Sequence, residues 1–180
     1  MKADCEALAY AGAGRSYTRG MKKILFVAGL LMLGQASAAS YVSNDAATKT
    51  ATITVNAGEG GDNGGLNFNG ADHGKKGFVI PAGWTVKMVF KNVGMMPHSA
   101  VVTKGKTPLS SITEKDAAFA KAYTSKLAGG IAGGSKAETV MFKVGKAGTY
   151  NLVCGVPGHG LGGQYVGFMV SGTAKTASFE

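Results

Sequence analysis

Cysteine is scarce in this chain, with two in 180 residues, and so are histidine (three), proline (four) and tryptophan (one). Two cysteines cannot build a disulfide scaffold. Glycine reaches 29 residues, yet the few prolines and the lack of a G-X-Y period exclude collagen. Charged residues make up 16% and apolar residues 45%, which excludes a disordered chain. Nor is there an apolar run long enough to cross a bilayer comfortably; the longest, Ile24 to Leu33, is interrupted only by Gly29.

That run has a different meaning. Met21-Lys22-Lys23 precedes it and Ala36-Ser37-Ala38 follows it, the layout of a secretory signal peptide cleaved before Ala39. Residues 1–20 read as an upstream extension ahead of a better start at Met21, residues 21–38 as the signal peptide, and residues 39–180 as one domain. Export to the periplasm or extracytoplasmic space is expected, with the exported form soluble or loosely membrane-associated. Removing residues 1–38 takes Lys2, Arg15, Arg19, Lys22, Lys23, Asp4 and Glu6, so the excess of basic residues falls from nine to six. Cys5 goes as well. A single thiol, Cys154, then stands in a compartment where thiols are normally paired, which points to metal ligation or covalent chemistry.

What remains alternates with a period of two. Ala51, Ile53 and Val55 interleave with Thr50, Thr52 and Thr54; Trp84, Val86, Met88 and Phe90 interleave with Thr85, Lys87 and Lys91. Further short strands are expected at Phe78 to Ile80, Ala100 to Thr103, Val140 to Val144, Tyr150 to Cys154 and Val166 to Val170. Pro81-Ala82-Gly83 and Gly145-Lys146-Ala147-Gly148 supply turns. The fold class is all-β, a sandwich of many short strands. Ser111 to Leu127 departs from it, having helix formers and a Ser111-x-x-Glu114 capping box, and predicts one short helical insertion. It ends at Gly129-Gly130, and Gly133-Gly134 follows as a flexible connection.

Chemistry concentrates between Val153 and Gln164. Cys154 leaves a strand into a loop of glycines and one proline, His159 follows five residues later and Gln164 five after that. Far upstream, Pro97-His98-Ser99 opens another strand. A type 1 copper site needs two imidazoles and a thiolate in one plane with a weak axial ligand, and His98 is placed to supply the second imidazole. A cysteine nucleophile would need an oriented base and an oxyanion hole, and no third group stands out. Zinc would want four strong ligands, or three and water, which three histidines serve poorly.

The Cys154-x4-His159 loop with its Val156-Pro157-Gly158-His159 core, preceded by Gly148-Thr149-Tyr150, resembles the copper loop of the cupredoxins. Gly64-Gly65-Leu66-Asn67-Phe68-Asn69-Gly70, Pro81-Ala82-Gly83-Trp84 and Met96-Pro97-His98-Ser99 resemble the sulfocyanins, a group related to rusticyanin, from about Tyr41 to Ser171. The resemblance implies an antiparallel or mixed Greek-key β-sandwich binding one copper ion. It also implies His98, Cys154 and His159 as equatorial ligands. Where that family usually has an axial methionine this chain has Gln164, a harder oxygen donor that favours Cu(II) and lowers the reduction potential. A dinuclear copper centre would need a second cysteine where Gly158 stands, and a multicopper oxidase would need His-x-His motifs that three histidines cannot supply.

The implied function is one-electron transfer, without enzymatic activity, between respiratory partners such as a cytochrome or a terminal oxidase subunit; delivery of copper to an oxidase is the alternative. Met95 and Met96 are expected to form an apolar rim near His98, Met169 to serve in packing, and Trp84 to lie in the core. His73 is expected to be a surface residue. The basic excess is spread over Lys75, Lys76, Lys87, Lys91, Lys104 and Lys106, with no groove or aromatic platform for nucleic acid. It suits an acidic redox partner of a monomeric domain.

Overall fold

The computed structural model describes residues 40–105 and 110–180. The expected leader and its cleavage point lie outside the described residues. Strands β1 (Val42–Asp45), β2 (Thr50–Ala57), β4 (Thr85–Asn92) and β6 (Glu138–Lys143) form one sheet in the order β1-β2-β4-β6. The second sheet has the order β5-β7-β8-β3-β9, built from β3 (Gly77–Pro81), β5 (Val101–Lys104), β7 (Gly148–Val153), β8 (Tyr165–Ser171) and β9 (Ser178–Phe179). Both sheets are mixed, because β2 runs parallel to β4 and β3 parallel to β8.

The period of two decides which side chains meet between the sheets. Ile53, Val55, Val86, Met88, Phe90 and Phe142 are buried from one side, and Phe78, Ile80, Leu152, Val166, Phe168 and Val170 from the other. Burial of each such side chain is worth about 1.5–3 kcal/mol, so this layer dominates the stability of the domain. Trp84 is buried at its edge. All seven strands expected from alternation are present, within a residue or two of their expected ends.

The helical insertion is present but shorter than its helix formers predict. Between Ser111 and Leu127 the structure has a single 3-10 turn, Glu114–Asp116, capped by Thr113 and Asp116 rather than by Ser111 and Glu114. The segment pairs instead with the outer edge of β5: Ala118 N–H donates to the Val102 carbonyl, Val102 N–H to that of Ala122, and Thr124 N–H to that of Ala100. Lys121 sits at φ 62°, incompatible with a continuous right-handed helix. Local helix propensity yields because the edge of β5 offers backbone partners that would otherwise be exposed.

Candidate metal centre

The β7–β8 hairpin sets the geometry of the site. Val153 pairs with Tyr165, and just beyond them Cys154 N–H donates to the Gln164 carbonyl at 3.0 Å, so the loop leaves and re-enters the sandwich at one neck. Within it, His159 N–H donates to Val156, Gly162 to Gly158 and Gln164 to His159, a chain of tight turns that folds the loop back over its own ends. Gly158 (φ 84°) and Gly163 (φ 100°) take conformations that side chains disfavour. His73 fills the space against Gly163, where a Cβ would collide with its imidazole.

His98 arrives from the β4–β5 connection and is held from behind. Its N–H donates to the Ile131 carbonyl at 3.1 Å and its carbonyl accepts from Ile131 N–H at 2.6 Å. The expected flexible connection at Gly133-Gly134 is therefore anchored at Gly133. Gly130 lies so close to Pro97 and His98, and Gly133 so close to the Gly94 carbonyl, that a Cβ at either position would collide with backbone.

Four donor atoms converge from these elements. Gln164 Oε1 lies 2.9 Å from His98 Nδ1 and 3.2 Å from His159 Nδ1, and Cys154 Sγ lies 3.6 Å from His159 Nδ1. One ring nitrogen each from His98 and His159 and the Sγ of Cys154 fall within 4.8 Å of one another. His98, Cys154 and Gln164 are buried, and His159 is partly exposed. His73 is apart from this cluster: its side chain is 52% exposed and its Nδ1 pairs with Asp72. Cys154 is a free, buried thiol.

Neighbours prepare these donors. Ser99 N–H donates to Cys154 Sγ at 3.4 Å, while Ser99 Oγ donates to the Leu127 carbonyl at 2.8 Å and accepts from Gly155 N–H at 2.9 Å. Gln164 Nε2 donates to the Asn67 carbonyl at 3.1 Å, which turns the amide so that its oxygen faces the imidazoles. Burial pushes the Cys154 thiol above its ordinary value, with the Ser99 N–H acting in the opposite direction. Burial, then the proximity of His159, pushes His98 below its ordinary value, partly offset by Gln164. The imidazole thus stays neutral, as a metal ligand must, into mildly acidic solution.

Two outcomes follow from these contacts. In the metal-free protein, the unfolded chain protonates the His98 imidazole near 6.5 while the folded chain resists, so the unfolded state binds more protons and stability falls as pH drops below that value. Thermal melts at pH 7.5 and pH 5 are expected to show a lower midpoint at pH 5; a flat or rising midpoint contradicts the burial of a neutral His98. Ser99→Ala removes the acceptor of Gly155 N–H and the donor to Leu127, and is expected to cost about 1–3 kcal/mol in denaturant unfolding. A loss below about 0.5 kcal/mol, the size of an ordinary surface change, would show that Ser99 does not tie these segments together.

The donor set is one that suits type 1 copper: two imidazole nitrogens, one thiolate sulfur and a neutral amide oxygen, on a buried and tightly bonded frame. The Sulfocyanin (SoxE) domain family matches residues 37–179. The chain belongs to the sulfocyanin family. Sulfocyanin of Sulfolobus acidocaldarius is 34% identical over 129 residues, covering 68% of this chain and 64% of that protein, somewhat less than two thirds of its length. Among solved structures, dithionite-reduced auracyanin of Roseiflexus castenholzii is similar at a TM-score of 0.50 and 23% identity, over 72% of this chain and 99% of that one. Auracyanin B is similar at a TM-score of 0.50 and 19% identity, over 74% and 95%. These likenesses show the cupredoxin fold. The residues present fit a single type 1 copper ion.

Reasoning from sequence had not found Asn67, Ile131 or the hydroxyl of Ser99 as supports of the site. Asn67 and Ile131 act through backbone atoms, which leave no mark on residue identity. Ser99 stood next to His98 in the Pro97-His98-Ser99 stretch, and that adjacency was the available signal.

Proposed function

We propose that this chain is a one-electron carrier of the periplasm or extracytoplasmic space, working between respiratory partners. In this reading His98, Cys154, His159 and Gln164 would hold the copper ion. When bound, copper supplies a centre that alternates between Cu(II) and Cu(I). The observation that carries the reading is the convergence of one nitrogen from each imidazole and the Cys154 Sγ within 4.8 Å of one another, with both Nδ1 atoms against Gln164 Oε1.

The protein's part is to keep these ligands still. The Ile131 pairing holds His98, the hairpin neck holds Cys154 and Gln164, and the loop turns hold His159, so neither oxidation state can impose its own geometry. His159 is the ligand that meets solvent and the natural exit for the electron. Leu161, Met95 and Met96 are exposed on segments 93–98 and 155–164, which carry His98 and His159 and contain no lysine, arginine or carboxylate. That apolar apex suits close contact with a cytochrome or terminal oxidase subunit. The lysines elsewhere on the domain suit attraction of an acidic partner. Among the described residues no helix is long and apolar enough to cross a membrane, and we take the exported domain to act as a monomer.

Delivery of copper is the second reading, favoured by Met95, a fully exposed thioether three residues from His98. Voltammetry of the copper-loaded protein separates the two. A carrier gives a reversible one-electron wave with a visible band that bleaches on reduction and returns on oxidation. A colourless protein that holds only Cu(I) would overturn the carrier reading in favour of delivery.

A further inference from the structure

His73 takes no part in the donor cluster, yet it is built against the loop that carries Gln164. It sits at φ 50°, and Gly74 follows at φ 70°, two left-handed residues in succession. That conformation is uncommon for a residue with a side chain, and strained backbone of this kind gathers at functional sites. The bonds of the turn show what it holds. His73 N–H donates to the Gly163 carbonyl at 2.8 Å and Gly74 N–H to the Tyr165 carbonyl at 3.0 Å, so the residues on both sides of Gln164 are tied to one turn.

The side chain adds a third tie. Gly163 is buried, and a Cβ on it would collide with Cε1, Nδ1 and Nε2 of the His73 ring, so the ring lies on the Gly163 backbone in a space that only glycine leaves open. The Tyr165 ring meets it edge-on, with centroids 6.3 Å apart. Buried Asp72 fixes its rotation: Asp72 Oδ1 lies 3.0 Å from His73 Nδ1, and because an ionised carboxylate only accepts, Nδ1 carries the proton. Lys75 Nζ pairs with the same oxygen at 2.8 Å. We propose that His73, braced by Asp72, is a positioning residue for the metal centre: its ring, laid on Gly163, holds the Gln164 amide oxygen against the two imidazoles and so favours Cu(II). The inference rests on the reading of Gln164 as a copper ligand. Without the ring Gly163 loses its cover, the amide oxygen is held less closely, and Cu(II) loses part of the hard donor that suits it.

His73→Asn tests this, because asparagine accepts the left-handed backbone but is too short to cover Gly163. The variant is expected to stay folded, since the His73 side chain is half exposed. With copper bound, the balance is expected to move roughly threefold toward Cu(I), a rise of about 28 mV in the potential. Voltammetry is run in about 1 M salt, which screens exposed charges beyond about 3 Å. Lys75→Ala, which takes a charge from the same carboxylate but leaves the ring in place, is expected to leave the potential unchanged. In metal-free protein labelled with nitrogen-15, His73→Asn is expected to shift the Gln164 side-chain amide resonances and speed their exchange with solvent. His73→Gly, which also suits φ 50°, is expected to do the same. Unmoved Gln164 resonances in both variants overturn the proposal. So does a potential that holds in His73→Asn while Gln164→Met shifts it, or a shift in Lys75→Ala as large as that in His73→Asn. If the resonances move but neither His73→Asn nor Gln164→Met alters the potential, the reading of Gln164 as a ligand has failed, and the redox role of His73 falls with it.

Discussion

Cys154→Ser is expected to abolish the intense visible absorption of the copper(II)-loaded protein while leaving the sandwich folded. The band arises from charge transfer between a thiolate and Cu(II), and a serine hydroxyl offers no comparable donor. The fold survives because Cys154 adds one small side chain at the end of a core dominated by Phe68, Phe78, Phe90 and Phe168. A hydroxyl in its place still accepts the Ser99 N–H that now reaches Sγ, so the cost to the metal-free fold is about 1 kcal/mol. Absorption spectra and thermal melts of the two proteins check both halves. Retention of the band, or loss of the fold, would show that Cys154 has been assigned the wrong role.

Gln164→Met is expected to raise the reduction potential by more than about 59 mV, which corresponds to a tenfold shift of the balance between Cu(II) and Cu(I). The amide oxygen is a hard donor that favours Cu(II), and a thioether is a soft one that favours Cu(I). The bond from Gln164 Nε2 to the Asn67 carbonyl decides that oxygen, rather than nitrogen, is presented. Methionine forfeits that bond, so the variant is also expected to lose about 1 kcal/mol of stability, while the Asn67 carbonyl keeps Gly58 N–H as a donor. Voltammetry of the two proteins reads the shift. A fall, or no change, would mean that Gln164 does not reach the metal.

Sequence was most informative where side chains alternate. The buried series Ala51, Ile53, Val55 and Trp84, Val86, Met88, Phe90 marked β2 and β4 because one face of each strand is dry and the other wet. Strand β1 escaped because Val-Ser-Asn-Asp is polar and exposed at a sheet edge, and β9 because two residues show no period. The stretch after β5 misled in the other direction: its helix formers are outweighed by backbone bonds to Val102 and Ala100 that only the folded sheet provides. At the site, Cys154 and His159 could be read from one short loop and His98 from the need for a second imidazole, whereas the role of Gln164 became legible through resemblance to a known family. Gly133, read as part of a flexible connection, is packed against the Gly94 carbonyl, and Gly130 against Pro97 and the His98 backbone.

The central claim is that these four residues hold one type 1 copper ion. The visible and electron paramagnetic resonance spectrum of the protein loaded with one equivalent of Cu(II) tests it most directly. An intense thiolate-to-copper band together with the narrow parallel hyperfine splitting of a covalent copper–sulfur bond is the predicted result. A pale protein with the wide splitting of ordinary tetragonal copper(II) would contradict it.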